Sequence, residues 1–229
     1  MKKKFITNLF ISSGFLVLFI ILIILLKTVD IGLSPINNAE VGLSTLNIKM
    51  LDYFGQSDGW YKATNYLGYL SFAIALFYVI YGIISWIKNK SIKKVDISIL
   101  LLAFVYLISL GFYLFFELVV INYRPVFIGE STKLEASFPS SHTLLAVSFG
   151  ITGIIACFYL TKNKTLRTIV TAVGTIYVFI MVMGRLLSGV HWFSDILGGL
   201  LLGTSISYYY YTFVGYFKDK AISTSNEEK

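Results

Sequence analysis

The 229-residue chain has two histidines and three arginines, and four of these five residues fall in or beside short polar runs between apolar stretches. His142 stands in FPSSHT, residues 138–143, while Arg185, His191 and Asp195 share GRLLSGVHWFSD, residues 184–195. Imidazole works as a base or nucleophile near neutral pH, and the guanidinium fork of Arg124 or Arg185 fits phosphate or carboxylate oxygens. His191 and Asp195 are four apart, on one face of a helix. The carboxylate there can hold one ring nitrogen protonated and leave the other as base or nucleophile. Alone, such a pair is more often structural. In FPSSHT, Pro139 and the serines end a loop and open a helix, so the Ser140 hydroxyl and backbone N–H groups point at whatever occupies the helix N-terminus; alone, this run reads as a simple serine cap. Together the parts make an anion site with acid–base chemistry beside it. Phosphoryl transfer needs that set: a clamp on the equatorial oxygens, an in-line attacking atom and a proton for the leaving oxygen.

The elements that must carry these residues are membrane helices. With 56% hydrophobic and 14% charged residues, there is too little polar material to cover a soluble globule of this size. Six apolar runs are long enough to cross about 30 Å of hydrocarbon: 5–26, 63–87, 97–121, 142–160, 168–188 and 193–217. The first follows Met-Lys-Lys-Lys and is too long for a signal peptide, so it reads as an uncleaved anchor. Segments 2–4, 88–94, 162–167 and 218–229 hold 13 lysines and arginines, against 6 elsewhere. By the positive-inside rule these segments and both termini are cytoplasmic, and the loops at 28–62, 122–141 and 189–192 face outward. Trp60, Tyr61, Trp86 and Tyr208 to Tyr211 fit interfacial belts. The expectation is an all-α polytopic protein of the cell membrane, one domain over 1–229 with its motif-bearing core at about 97–217, and His142, His191, Arg124 and Arg185 at the outer ends of helices three to six. The net charge of +7 lies mostly on the cytoplasmic side, which argues against nucleic acid as a partner. Cys157 reads as a small core residue. Gly199, Gly203 and Ser207, at intervals of four, predict close packing of helix six within the chain or between chains of a homo-oligomer.

The pieces resemble the type 2 phosphatidate phosphatase superfamily of membrane lipid phosphatases, relatives of the vanadium haloperoxidases. That family's motifs are Lys, six residues, Arg-Pro; Pro-Ser-Gly-His; and Ser-Arg, five residues, His, three residues, Asp. Here they stand as ELVVINYRP (117–125), PSSH (139–142) and GRLLSGVHWFSD (184–195). The resemblance implies a six-helix membrane core, His191 as the nucleophile that forms a phosphohistidine, Asp195 as its orienting group, and His142 as the general acid that later activates water. It makes Arg124 and Arg185 the phosphoryl clamps, helped by Ser140 and the backbone N–H groups of Ser141 and His142, and it implies no metal and no cofactor. Ser141 and Gly184 replace one small residue each. Glu117 replaces the phosphate-binding lysine and reverses a charge. It reads as a partner for an arginine or for Lys133, two turns along the helix from Arg124, or as a sign of altered substrate choice or of a weakened phosphatase.

The expected function is therefore removal of a phosphate, at the outer face, from a lipid phosphate or an isoprenoid diphosphate. An undecaprenyl-type carrier comes first, with phosphatidate or phosphatidylglycerophosphate next. Two other classes stay open: a lipid-phosphate-binding membrane protein without turnover, and a metal-dependent enzyme or transporter using His142, His191, Asp195 and Glu117, a set zinc accepts but which two arginines oppose.

Overall fold

The computed structural model describes residues 2–128 and 133–227, with side chains to residue 224; residues 129–132, in the loop expected to face outward, and Lys229 of the basic count, lie outside them. Each of the six apolar runs is one helix: α1 (Lys2–Thr28), α3 (Asp58–Asn89), α4 (Ile97–Leu118), α5 (Ser141–Leu160), α6 (Lys164–Ser188) and α7 (Phe193–Glu227). Five of them, α1 and α3 to α6, are long and apolar enough to cross a membrane. The sixth, α7, is the longest, and its glycines, serines and tyrosines lower its hydropathy. Polar caps mark the ends: Ser57, Asp96 and Asn163 accept from backbone N–H groups of the first turns of α3, α4 and α6, as short oxygen-bearing side chains do. The architecture is all-α and polytopic.

α7 lies between α1 and α5; α4 packs on both α5 and α7, and α3 and α6 close the far side of α5. Lipid tails are as apolar as leucine, so such helices associate through close fit and buried hydrogen bonds. Ser205 Oγ donates to the Ser12 carbonyl at 2.9 Å, Tyr210 to the Ser98 carbonyl at 3.0 Å, Tyr78 to the Gly153 carbonyl at 2.6 Å, and Ser109 to Ser148 at 3.2 Å. Bonds of this kind contribute about 0.6 kcal/mol each in membranes. The Gly199, Gly203 and Ser207 stripe faces α5. A Cβ on Gly199 would stand 2.8 Å from Thr143 Cβ and 2.9 Å from the Ser140 carbonyl oxygen, and one on Gly203 would stand 2.9 Å from Val147; Ser207 donates to the Gly203 carbonyl and reaches that of Val147. Close packing through this stripe is internal, so it is not open to a second copy as a homo-oligomer interface.

Three local features differ from the sequence reading. The segment between α1 and α3 holds a short hairpin, Gly32–Leu33 paired with Glu40–Val41, and an eleven-residue helix, α2 (Ser44–Phe54), too short and too polar for a search built on membrane-spanning runs. Next, α4 stops at Leu118, after which β-branched Val119, Val120 and Ile121 and the Arg124-Pro125 step disfavour helix. Glu117 and Arg124 thus lie on a helix end and a following loop, not two turns apart on one helix. Finally, α7 begins at Phe193, so His191 precedes the helix and only Asp195 lies in its first turn. The chain reverses there through Gly189, whose φ of +67° and contact with Gly55 and Gln56 leave no room for a side chain.

The α5–α7 contact yields a test. Gly199→Val sets a branched side chain against Thr143 and the Ser140 carbonyl, and overpacking of this kind costs about 1–3 kcal/mol. The purified variant is expected to show a lower thermal midpoint in detergent, whereas Gly111→Val, at a position with nothing within 4 Å of its Cβ, is not.

Candidate active site

The site grows from a short backbone ladder. Between α4 and α5 the chain runs out through residues 122–124 and returns through 135–137. Ser137 N–H donates to the Asn122 carbonyl at 2.9 Å, Arg124 N–H donates to the Glu135 carbonyl at 3.0 Å, and Tyr123 bridges Ala136. The ladder is fixed from several directions. Lys27 donates to the Ile121 carbonyl at 2.8 Å, Asn37 to the Arg124 carbonyl at 2.7 Å, and Trp192 Nε1 to the Tyr123 carbonyl at 2.7 Å. Phe138 seals its inner end, stacking on Phe19, meeting Phe116 edge-on, and lying where a Cβ on Gly198 would be 2.4 Å away.

His191, buried at 3% exposure, sits across this ladder with one neighbour at each ring nitrogen. Arg124 Nη1 is 3.3 Å from Nε2; the Ser137 carbonyl oxygen is 3.1 Å and the Ser137 hydroxyl 3.2 Å from Nδ1. A guanidinium only donates and a carbonyl only accepts. Both contacts therefore assign the same tautomer, with the proton on Nδ1 and the lone pair on Nε2. Burial first, then the nearby charges of Arg124 and Arg185, holds the His191 pKa well below the ordinary histidine value, so the ring is neutral.

Asp195 Oδ2 accepts from the Trp192 backbone N–H at 2.8 Å and from the Ser137 hydroxyl. The first bond is the reach-back of an N3 carboxylate to the residue that opens the helix. Its distance from His191 Nδ1 is 3.8 Å, too long for a hydrogen bond, so it does not hold the ring directly as the i, i+4 spacing predicts. The Asp195 backbone carbonyl also accepts from Ser140 N–H at 3.0 Å, which ties the start of α5 to the start of α7. Asn47 of α2 accepts from Ser194 N–H at 3.0 Å and donates to the Ser194 hydroxyl at 2.9 Å, completing the cap of α7.

The other predicted residues lie around this centre. Arg124 Nε is 3.1 Å from Glu135 Oε2, an ion pair too bent for a hydrogen bond, which leaves Nε without a hydrogen-bond acceptor. Glu117 is exposed and, among the described residues, forms no ion pair; the expected partnership with Arg124 is made by Glu135 instead. Glu117 does line a small cavity together with Tyr113, Arg124, Ser137, Ser141 and His191. Ser140 is fully buried and its oxygen accepts from Thr143 Oγ1 at 3.0 Å, so this hydroxyl caps α5 and the cavity wall is Ser141. The backbone N–H groups of Ser141 and His142, first in the helix, have no acceptor within it.

His142 and Arg185 lean on α3. A Cβ on Gly68 would be 2.8 Å from His142 Cδ2, so this glycine gives the imidazole its seat. Arg185, 1% exposed, donates to Asn65 Oδ1 at 3.1 Å and Thr64 Oγ1 at 3.3 Å, with its guanidinium 5.6 Å from the Tyr61 ring centroid. Tyr61 thus serves an arginine and not only an interface belt. A cavity of about 390 Å³, lined by His142, Ser141, Tyr61, Asn65, Tyr69 and Tyr113 among others, opens between α3, α4 and α5. Ser141 and Tyr113 line both cavities, so the two adjoin across them. Among the described residues no three of His, Cys, Asp and Glu come together as metal ligands; the nitrogens of His191 face Arg124 and Ser137.

Residues 98–219, more than half of the chain, match the model of the PAP2 superfamily. No curated protein matches in sequence. Among solved structures, the first transmembrane PAP2 type phosphatidylglycerolphosphate phosphatase from Bacillus subtilis is similar at 17% identity, with a TM-score of 0.62 over 91% of this chain and 96% of that one. Aquifex aeolicus LpxE shows a weaker likeness, with a TM-score of 0.44 and 22% identity over 72% of this chain and 94% of that one. With the three motifs meeting at one end of a six-helix membrane core and the family model spanning them, the chain belongs to the PAP2 superfamily.

Proposed function

We propose that the chain is a metal-independent membrane phosphatase that removes a phosphate from a lipid phosphate or isoprenoid diphosphate through a phosphohistidine at His191. The observation that carries the reading is the neutral His191 ring with its Nε2 lone pair turned toward Arg124. Substrate takes over the Arg124 donor with a phosphoryl oxygen, which frees Nε2 to attack phosphorus. The bond from phosphorus to the leaving oxygen breaks as His142 delivers a proton to that oxygen. In the second half, water attacks phosphorus, His142 takes the proton from water, and the P–N bond returns its electron pair to Nε2. Arg124, Arg185 and the free N–H groups of Ser141 and His142 hold the charge on the equatorial oxygens.

The fold shared with a phosphatidylglycerolphosphate phosphatase supports a lipid substrate, and the cavity between α3, α4 and α5 offers its tail a path from the bilayer. Our first choice remains an undecaprenyl-type diphosphate, ahead of phosphatidate and phosphatidylglycerophosphate. Glu117 favours a second reading, a lipid-phosphate-binding protein with weak or no turnover, because an unpaired carboxylate at the cavity opposes an incoming anion. The lysine and arginine bias supports an outward-facing site with cytoplasmic termini.

Three outcomes are expected. Rapid quenching of the purified protein with labelled lipid phosphate should trap an acid-labile phosphoenzyme. His191→Ala should abolish it and reduce turnover by about 10³-fold or more, with chelators leaving wild-type turnover intact. Lipid-phosphate binding with no phosphoenzyme supports the second reading, and loss with chelator restored by zinc supports a metal enzyme. The pH response follows from a lowered His191 pKa, which keeps the ring unprotonated well below pH 6.5. The single-turnover rate of phosphoenzyme formation should therefore not fall between pH 8 and pH 6; a decline centred near 6.5 contradicts it. For orientation, in a Cys157→Ser background Tyr53→Cys should react with an impermeant thiol reagent in intact cells and Lys162→Cys should not; the reverse pattern moves the site to the cytoplasm.

A further inference from the structure

Resting on the reading of His191 as nucleophile, we propose that Ser137 is a positioning residue of the reaction, the link through which Asp195 acts on the His191 ring. Three distances lead to it. The ring nitrogen and the carboxylate are 3.8 Å apart, beyond hydrogen-bond reach. The Ser137 hydroxyl lies between them, 3.2 Å from Nδ1 and hydrogen-bonded to Asp195 Oδ2. Ser137 has one hydroxyl proton, and Asp195 Oδ2, which also takes the Trp192 N–H, accepts it. The Ser137 oxygen is left with lone pairs, which suit the proton that the tautomer places on Nδ1. The chain of donors runs one way: His191 Nδ1–H to Ser137 Oγ, and Ser137 Oγ–H to Asp195.

The direction matters when His191 reacts. Attack by Nε2 on phosphorus turns a neutral buried ring into a cation that keeps its Nδ1 proton. No proton leaves; the positive charge shifts toward Nδ1 and strengthens its bond to Ser137. The serine hydroxyl, polarised by the carboxylate behind it, carries the stabilising effect of Asp195 across the 3.8 Å gap. The Ser137 carbonyl, 3.1 Å from Nδ1, fixes the tautomer but brings no formal charge. Placement comes from the ladder: Ser137 N–H is held by the Asn122 carbonyl, and Phe138 anchors the next residue in the core. Ser137 is 2% exposed, so water does not readily replace it.

The test is a double-mutant cycle on phosphoenzyme formation with Ser137→Ala, Asp195→Asn and the double variant. Wild type is run alongside, because wild type without phosphoenzyme removes the nucleophile reading and this proposal with it. With wild type active, Ser137→Ala should slow formation about 10- to 100-fold, the range for removing an outer partner of a functional histidine, with KM and the thermal midpoint unchanged. The double variant should be no slower than the slower single one. A wild-type rate for Ser137→Ala, or a double variant whose loss is the product of the two single losses, overturns the proposal. Since a variant can fail to fold, a second measurement uses wild type alone: the ¹⁵N shifts of His191 should report a protonated Nδ1 and a bare Nε2, and the opposite tautomer overturns the relay.

Discussion

Everything at the motif-bearing end of this bundle depends on the orientation of one imidazole. The His191 ring is gripped at both nitrogens by residues of a single backbone ladder, Arg124 at Nε2 and Ser137 at Nδ1. Because 122–124 and 135–137 are hydrogen-bonded to each other, the two grips cannot move independently. The proposed phosphoryl transfer depends on such a fixed ring, since most of the catalysis in that chemistry is positioning and charge. The elements around the ladder can be understood as its supports: Lys27 at the end of α1, Asn37 between α1 and α2, Trp192 before α7, and Phe138 plugged between Phe19 and Phe116.

A second constraint comes from burying charge beside hydrocarbon. Arg185 is 1% exposed, and a guanidinium so placed is costly unless its donors are met. α3 meets them with Asn65, Thr64 and the face of Tyr61, and a turn further on it yields space to His142 at Gly68. The whole of α3 lies outside the residues that match the family model, 98–219, yet it supports the Arg185 guanidinium and seats the His142 imidazole. The large cavity beside His142 and Ser141 runs along this same helix, so a change in α3 alters the cavity lining and the arginine support together.

The extent to which the sequence was legible follows from the range of each signal. Helices were readable because span length and hydropathy are local, and all six apolar runs became helices. His142, His191, Arg124, Arg185 and Asp195 were readable by type and spacing. Ser137 was not: a serine in a loop has no periodicity, and its placement depends on a ladder whose strands are eleven or more residues apart. Its position just before Phe138-Pro139 was the one local hint. α2 was missed because eleven residues with a polar face fall below any membrane-span filter, and its contribution, the Asn47 cap on Ser194, spans 147 positions of sequence. The i, i+4 reading of His191 and Asp195 failed for a local reason. The helix begins two residues after the histidine, so the carboxylate reaches back to the Trp192 backbone and leaves the ring 3.8 Å away.

The same ladder accounts for the reversed charge at Glu117. In a site built on two arginines, an arginine needs a counterion at rest, and the one facing Arg124 is Glu135, whose carbonyl already accepts the Arg124 backbone N–H. Placement and neutralisation of Arg124 thus come from one residue across the ladder, and the structure does not need Glu117 for either. Glu135 is exposed, and its contact with Nε is bent, so it is a weak partner. Glu117, in contrast, lines the small cavity from the end of α4, and among the described residues it forms no ion pair. Its charge is therefore met neither by Arg124 nor by the ladder, and it remains a feature of the small cavity that His191 and Ser141 also line.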